Sequence, residues 1–169
     1  MNKLLLLLIL FSNYSFAQIV RFDGICISSE ENLSESKSDL IFKNNDLQIT
    51  LTPSTFWKIN IKNLSNNTVS VNWNESYFII AKTSSGIIFN NDNFYTAKDL
   101  KPNENIAPNT NILKEIFPKE TYLNNGVSVI TGVVYKQGAP FVINLTYNIE
   151  DTKKSINMKM DAIVCKKQK

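Results

Sequence analysis

The chain has 169 residues, with 18 Lys and Arg against 15 Asp and Glu, no histidine and two cysteines. The lack of histidine removes the commonest general base and the commonest metal ligand, and a lone arginine, Arg21, excludes an Arg cluster for phosphate or carboxylate recognition within one chain. A net charge of +3, scattered apart from a small group at Lys166, Lys167 and Lys169, gives no case for nucleic acid as a partner.

Met1-Asn2-Lys3 is a short positive segment, residues 4–11 are an unbroken apolar run, and Ser15-Phe16-Ala17 carries small residues at the two positions a signal peptidase reads. Residues 1–17 therefore read as a secretory signal peptide, with an apolar core far short of the ~20 residues a bilayer requires. Cleavage leaves Gln18 first, and the expected location is the periplasm, the cell surface or the medium. The nearest cysteine, Cys26, follows Asp23-Gly24-Ile25, which is unlike a lipoprotein signal. No later stretch is long enough to cross a membrane, and residues 18–169 have the size of one domain.

Residues 18–27 read as a first strand with Gly24 as a bulge. Residues 28–38 are polar and acidic, without apolar period, and read as a loop. Short strands at 39–43 and 47–51 flank the turn residues Asn44-Asn45-Asp46, and Pro53 closes the second.

Residues 55–89 carry the densest strand pattern and both tryptophans. Trp57, Ile59 and Ile61 alternate with Lys58, Asn60 and Lys62; Val69, Val71 and Trp73 alternate with Ser70, Asn72 and Asn74. Period-two alternation marks strands with one buried face. A hairpin with Asn63 opposite Asn67 sets Ile61 against Val69, Ile59 against Val71 and Trp57 against Trp73, and sorts every residue onto a sensible side. These six apolar residues are the expected core hairpin. Residues 76–82 are apolar on both faces and read as the next strand. Residues 83–86 read as a turn with Gly86 at positive φ, and 87–89 as the return.

Residues 90–126 are rich in turn residues, and the apolar pieces Ile106-Ala107-Pro108 and Ile116-Phe117-Pro118 are each stopped by proline. Residues 110–116 read as extended, because a residue before proline avoids the α region. Three strands complete the chain at 127–135, 141–149 and 155–164. In the last, Ile156, Met158, Met160, Ala162 and Val164 form one face, and Asn157, Lys159 and Asp161 the other. Eight to ten short strands joined by turns predict an all-β domain: a two-sheet antiparallel β-sandwich of immunoglobulin-like kind, with a closed barrel as the second reading.

The run Val71-Asn72-Trp73-Asn74-Glu75-Ser76-Tyr77-Phe78-Ile79, followed by Ile106-Ala107-Pro108 and Ile116-Phe117-Pro118, resembles a pattern in small secreted bacterial β-sandwich proteins. It spans about a third of the chain. The resemblance implies an immunoglobulin-like fold in a bacterial envelope, and it carries no catalytic residues.

An even cysteine count in an exported chain points to a disulfide between Cys26 and Cys165, against the alternative of two unpaired thiols. Closing so long a loop stabilises by roughly 4–5 kcal/mol in the chain-entropy account. Catalysis finds no motif: GxSxG, the phosphate-binding loop, HExxH and CxxC are all absent. Asp46 and Asp92 each sit in an asparagine-rich turn that offers a single carboxylate, fewer than calcium takes, and no cofactor is expected. Phe94 and Tyr95 in the irregular region, and Tyr122 in a second loop, are aromatics placed to stack on sugars or partner side chains, or to cover one end of the fold. The leading expectation is a non-catalytic exported module with a binding or structural role, its partner an envelope protein or glycan. The alternatives are a small envelope hydrolase without histidine and a strand-exchanging assembly chaperone.

Overall fold

The computed structural model describes residues 20–22, 25–30, 38–80, 82–125 and 140–164. The segment read as a signal peptide, most of the acidic loop, the strand expected at 127–135 and Cys165 lie outside the described residues. The strands are β1 (Val20–Phe22), β2 (Ile25–Ser28), β3 (Leu40–Lys43), β4 (Leu47–Thr52), β5 (Trp57–Asn63), β6 (Val69–Ile80), β7 (Thr83–Phe89), β8 (Glu104–Ile106), β9 (Asn111–Pro118), β10 (Pro140–Ile149) and β11 (Thr152–Val164). One short helix, α1 (Lys119–Asn125), and a 3-10 turn at Thr96–Lys98 complete the described elements.

Every pairing is antiparallel, and the strands run β1-β2-β11-β10-β6-β7-β9-β5-β4-β3, with β8 added to β6. The sheet curls until it is nearly closed and barrel-like. Side chains in the β3–β4 turn reach strands far along the path: Asn44 and Asp46 bond Tyr147 on β10, and Asp46 also bonds Lys154 on β11. The corner strand is β7, which pairs with β6 through residues 83–86 and with β9 through residues 87–89. The core is aromatic where the two sides meet. Trp57 packs on Phe141 with ring centroids 5.0 Å apart, Phe78 stacks on Phe141 at 6.3 Å, and Trp73 meets Phe89 edge-on at 5.2 Å.

The core hairpin expected from the alternation does not form. Trp57, Ile59, Ile61, Val69, Val71 and Trp73 are all buried, as the pattern requires. Their strands, however, are not neighbours: β5 lies between β4 and β9, while β6 pairs with β10, β7 and β8. The segment between them is an arch that carries the chain across the core. Asn63 builds it. Its side chain is fully buried; Nδ2 donates to the carbonyls of Asn67 (2.7 Å) and Ile106 (2.9 Å), and Oδ1 accepts from the Ser65 amide (2.9 Å) and hydroxyl (2.7 Å). Asn63 thus bonds within the arch and to β8, and β5 and β6 contribute to one core without pairing as a ladder.

Other expectations shift in the same local way. The first strand is two, paired with Phe22 opposite Ile25, so that Asp23-Gly24 falls between them. The strand expected at 76–82 is the second half of β6. In β6 the inward positions change from Val69, Val71 and Trp73 to Ser76 and Phe78, because residues 73–76 stand opposite Leu145 alone. At this bulge the Ser76 hydroxyl accepts from the Thr146 amide at 3.0 Å and donates to the Asn72 carbonyl at 2.7 Å, standing in for the interrupted ladder. The turn before β7 falls at Lys82 (φ 72°) rather than at Gly86, which lies within the strand. Residues 111–118 are extended, as the prolines predict, and α1 follows directly. Cys26 is buried in β2 and is not a free thiol.

Candidate functional site

Residues 90–103, between β7 and β8, are irregular in sequence but tightly specified in structure. Asp92 closes the turn after β7: its Oδ2 accepts the Phe89 amide at 2.7 Å while its own amide donates to the Phe89 carbonyl at 3.0 Å. Asn93 organises the next turn. Its Oδ1 accepts from the amides of Tyr95 (2.9 Å) and Thr96 (3.0 Å), and its amide donates to Thr96 Oγ1 (2.9 Å). This is the local competition that draws asparagine to turns.

Lys101 runs back beneath the loop. Its Nζ donates to Asp92 Oδ1 at 2.7 Å and to the Thr96 carbonyl at 3.0 Å, and lies 5.9 Å from the centroid of the Phe89 ring. The two ion-pair side chains are only 8% and 11% exposed. The Lys101 backbone is clamped to β6 by the Asn74 side chain, which accepts from its amide at 2.8 Å and donates to its carbonyl at 2.6 Å. Asn74 lies in the β6 bulge, where it is turned outward instead of into the core.

Above this buried clamp the loop presents apolar side chains to solvent. Phe94 is 52% exposed, Tyr95 83% and Leu100 85%. Phe94 and Tyr95 meet edge-on at 6.1 Å, and Lys98 Nζ lies 5.2 Å from the Phe94 ring centroid. The remaining exposed large hydrophobic among the described residues, Leu113, lines a depression of about 460 Å³ with Asn90 and Asn91 at the root of the loop. Three of the four exposed large hydrophobics among the described residues thus lie in this one loop, and the fourth lines a depression at its root. Such patches mark contacts with another molecule, whereas single scattered ones need no explanation.

Phe94 and Tyr95 lie exposed in the loop, and Tyr122, assigned to a second loop from the sequence, is elsewhere. It lies on α1, partly buried, packed on the core and edge-on to Phe117 at 6.4 Å. The sequence reading missed Leu100, a single leucine among turn residues, and the Asp92–Lys101 pair, nine positions apart with no periodic signal.

A second polar cluster ties the β3–β4 turn to the β10–β11 hairpin. The Tyr147 hydroxyl donates to Asp46 Oδ2 at 2.9 Å and accepts from Asn44 Nδ2 at 3.0 Å, while Lys154 Nζ donates to the same Asp46 oxygen at 2.8 Å. The Lys154 hydrogen bond, helped by that from Tyr147, holds the Asp46 carboxyl below its ordinary range despite burial. Burial, with the Asp46 carboxylate beside it, pushes the Tyr147 phenol up to about 12. A shallow depression of about 500 Å³ opens here, lined by these residues, Asn45 and Ser155. Its charges are spent on one another, and the neighbouring Glu75 is likewise paired with Lys153 at 2.7 Å. The cluster is a clasp across the sheet rather than a set of groups poised for reaction. Asp46 and Asp92, the two turn carboxylates, both go to lysines. Among the described residues no group of three or more His, Cys, Asp and Glu is placed to hold a metal, and no helix is long and apolar enough to cross a membrane. No protein-family model matches the chain, and no curated protein or solved structure matches it either.

Proposed function

We propose that the protein is an exported, non-catalytic β-sheet module that works in the bacterial cell envelope, in the periplasm or at the cell surface, and binds its partner through residues 90–103. One observation carries this reading. Phe94, Tyr95 and Leu100 are held out into solvent by a loop fixed from beneath by a buried ion pair. A buried pair is a costly way to shape a loop. Its return is a surface whose ordering is complete before binding, which reduces the entropy lost on association.

Within this reading the curled sheet is a two-layer, immunoglobulin-like sandwich with β7 as the strand shared between layers, supported by the change of partner along β7 and by the rings that meet between β5 and β10. Cys26 is bridged to Cys165. Denatured exported protein then reacts with a thiol reagent only after reduction; reaction beforehand rejects the bridge. N-terminal sequencing of the exported protein should begin at Gln18.

The binding role is tested by immobilising the exported protein and passing a native envelope extract over it. The expected outcome is a retained component that is lost with the Tyr95→Ser/Leu100→Ser double variant while the urea midpoint stays unchanged. Equal retention by both proteins, or none by either, counts against the loop as the binding surface.

A further inference from the structure

We infer that the loop carrying Phe94, Tyr95 and Leu100 docks into the surface of a lipid bilayer, an assignment that rests on the binding role given to the loop above. Three features of the loop select lipid over other partners. The first is area. An exposed aromatic side chain offers at most ~150–250 Å², so the two aromatics and one leucine, partly shielded, supply well under the ~800 Å² that each partner gives to a standard protein interface, and the rest would have to come from the polar turn residues around them. A bilayer needs no matching surface and accepts side chains one at a time.

The second is shape. Tyr95 at 83% and Leu100 at 85% exposure stand clear of the protein, so the apolar surface is a projection and not a groove into which a partner's side chain would fit. Phe94 and Tyr95 are turned 87° to one another, so they form no flat platform for a sugar ring, and the exposed leucines have no ring face to offer one.

The third is chemistry. Tyrosine places its ring at headgroup level, and phenylalanine and leucine enter the acyl boundary. Lys98 Nζ lies over the Phe94 ring, 5.2 Å from its centroid, a cation–π contact that keeps a positive charge beside the apolar side chain, where lipid phosphates would meet it. The buried pairing of Asp92 with Lys101 withdraws a carboxylate that would otherwise repel lipid phosphates. Lys98 and Asp99 leave the tip close to neutral, so binding does not depend on anionic lipid.

The test is flotation of the exported protein with vesicles of phosphatidylethanolamine and phosphatidylglycerol, and separately of phosphatidylcholine. Wild type is expected to float with both. Tyr95→Ser/Leu100→Ser should lose vesicle binding by about tenfold or more, since each buried apolar side chain contributes substantially to partition. Lys159→Ser, on an exposed position of β11, should float like wild type. Circular dichroism and urea midpoints establish that each variant is folded. Failure of wild type to float overturns the lipid inference, as does flotation that survives the double substitution. If wild type stays in solution yet captures an envelope component through Tyr95 and Leu100, the occupant is a protein and the binding role stands; if capture fails as well, both fall.

Discussion

Replacing Asp92 with alanine removes three things at once: the partner of the Lys101 ammonium, the acceptor of the Phe89 amide and the closure of the turn after β7. The Lys101 side chain is left 8% exposed, with the Thr96 carbonyl at 3.0 Å as its remaining hydrogen-bond acceptor. Breaking one side of a buried ion pair costs about 3–5 kcal/mol. A lysine can uncurl toward water, so the lower end, about 3 kcal/mol, is the expectation here. With a urea dependence of about 1.5–2 kcal/mol/M, the midpoint should fall by about 1.5–2 M. The assay is urea unfolding followed by tryptophan fluorescence, since Trp57 and Trp73 are both buried. Amide exchange should accelerate at Tyr95 and Thr96 before global unfolding. Asp92→Asn/Lys101→Met, which leaves no buried charge, should recover most of the loss. A cost of about 0.5 kcal/mol or less for Asp92→Ala, the value of a surface pair, with unchanged exchange in the loop, would refute the view that the loop is held from beneath.

Asn63→Ala should cost about 2–4 kcal/mol, measured by the same unfolding, because it removes a buried side chain that makes four hydrogen bonds; a change within experimental error contradicts the role given to the arch. Tyr147, pushed up to about 12 when folded, keeps its proton after an unfolded phenol has lost it near 10. Its contribution to stability is thus full below pH 10 and declines up to about 12, and Tyr147→Phe should flatten that alkaline decline in thermal unfolding scans. Asp46 acts in the opposite sense: its contribution is present above 3.8 and is lost as pH falls through its lowered folded value, so Asp46→Asn should reduce the acid sensitivity of unfolding. Gly86→Ala should change stability by less than about 1 kcal/mol, since the strand φ is ordinary and a Cβ meets only the Lys119 side chain at 3.4 Å; a larger loss points to a turn conformation at this position.

In β5 and the first half of β6 the face each residue takes was legible in the sequence, and which strand lies next to it was not. Trp57, Ile59, Ile61, Val69, Val71 and Trp73 are all buried, since alternation records burial. It carries no information about the neighbour, and an arch satisfies the same pattern as a hairpin when both strands face one core. The distinction lies in Asn63, whose buried amide bonds are invisible without the fold. The β6 bulge is a similar case: Asn74-Glu75 breaks the alternation, and the break reads as a strand end until β10 is seen to continue past it. Gly24 reads from the sequence as a bulge within one strand, whereas two short strands pair there with Phe22 opposite Ile25. At the candidate site, Phe94 and Tyr95 were legible as aromatics among turn residues. Tyr122 belonged to the same reading and is packed on Phe117 instead, because the chain turns from β9 into α1 directly after Pro118. The clamp beneath the loop depends on Asp92, Lys101 and Asn74 meeting in space, and no sequence interval announces such a meeting.

The most direct test of the loop as the contact surface is photo-crosslinking in the intact envelope. A photoreactive residue is placed at Tyr95, at Leu100 or, as a control, at Lys159, which is exposed on β11. Adducts with lipid or protein are expected from positions 95 and 100 and not from 159. Adducts from 159 alone, with none from the loop, would contradict the account.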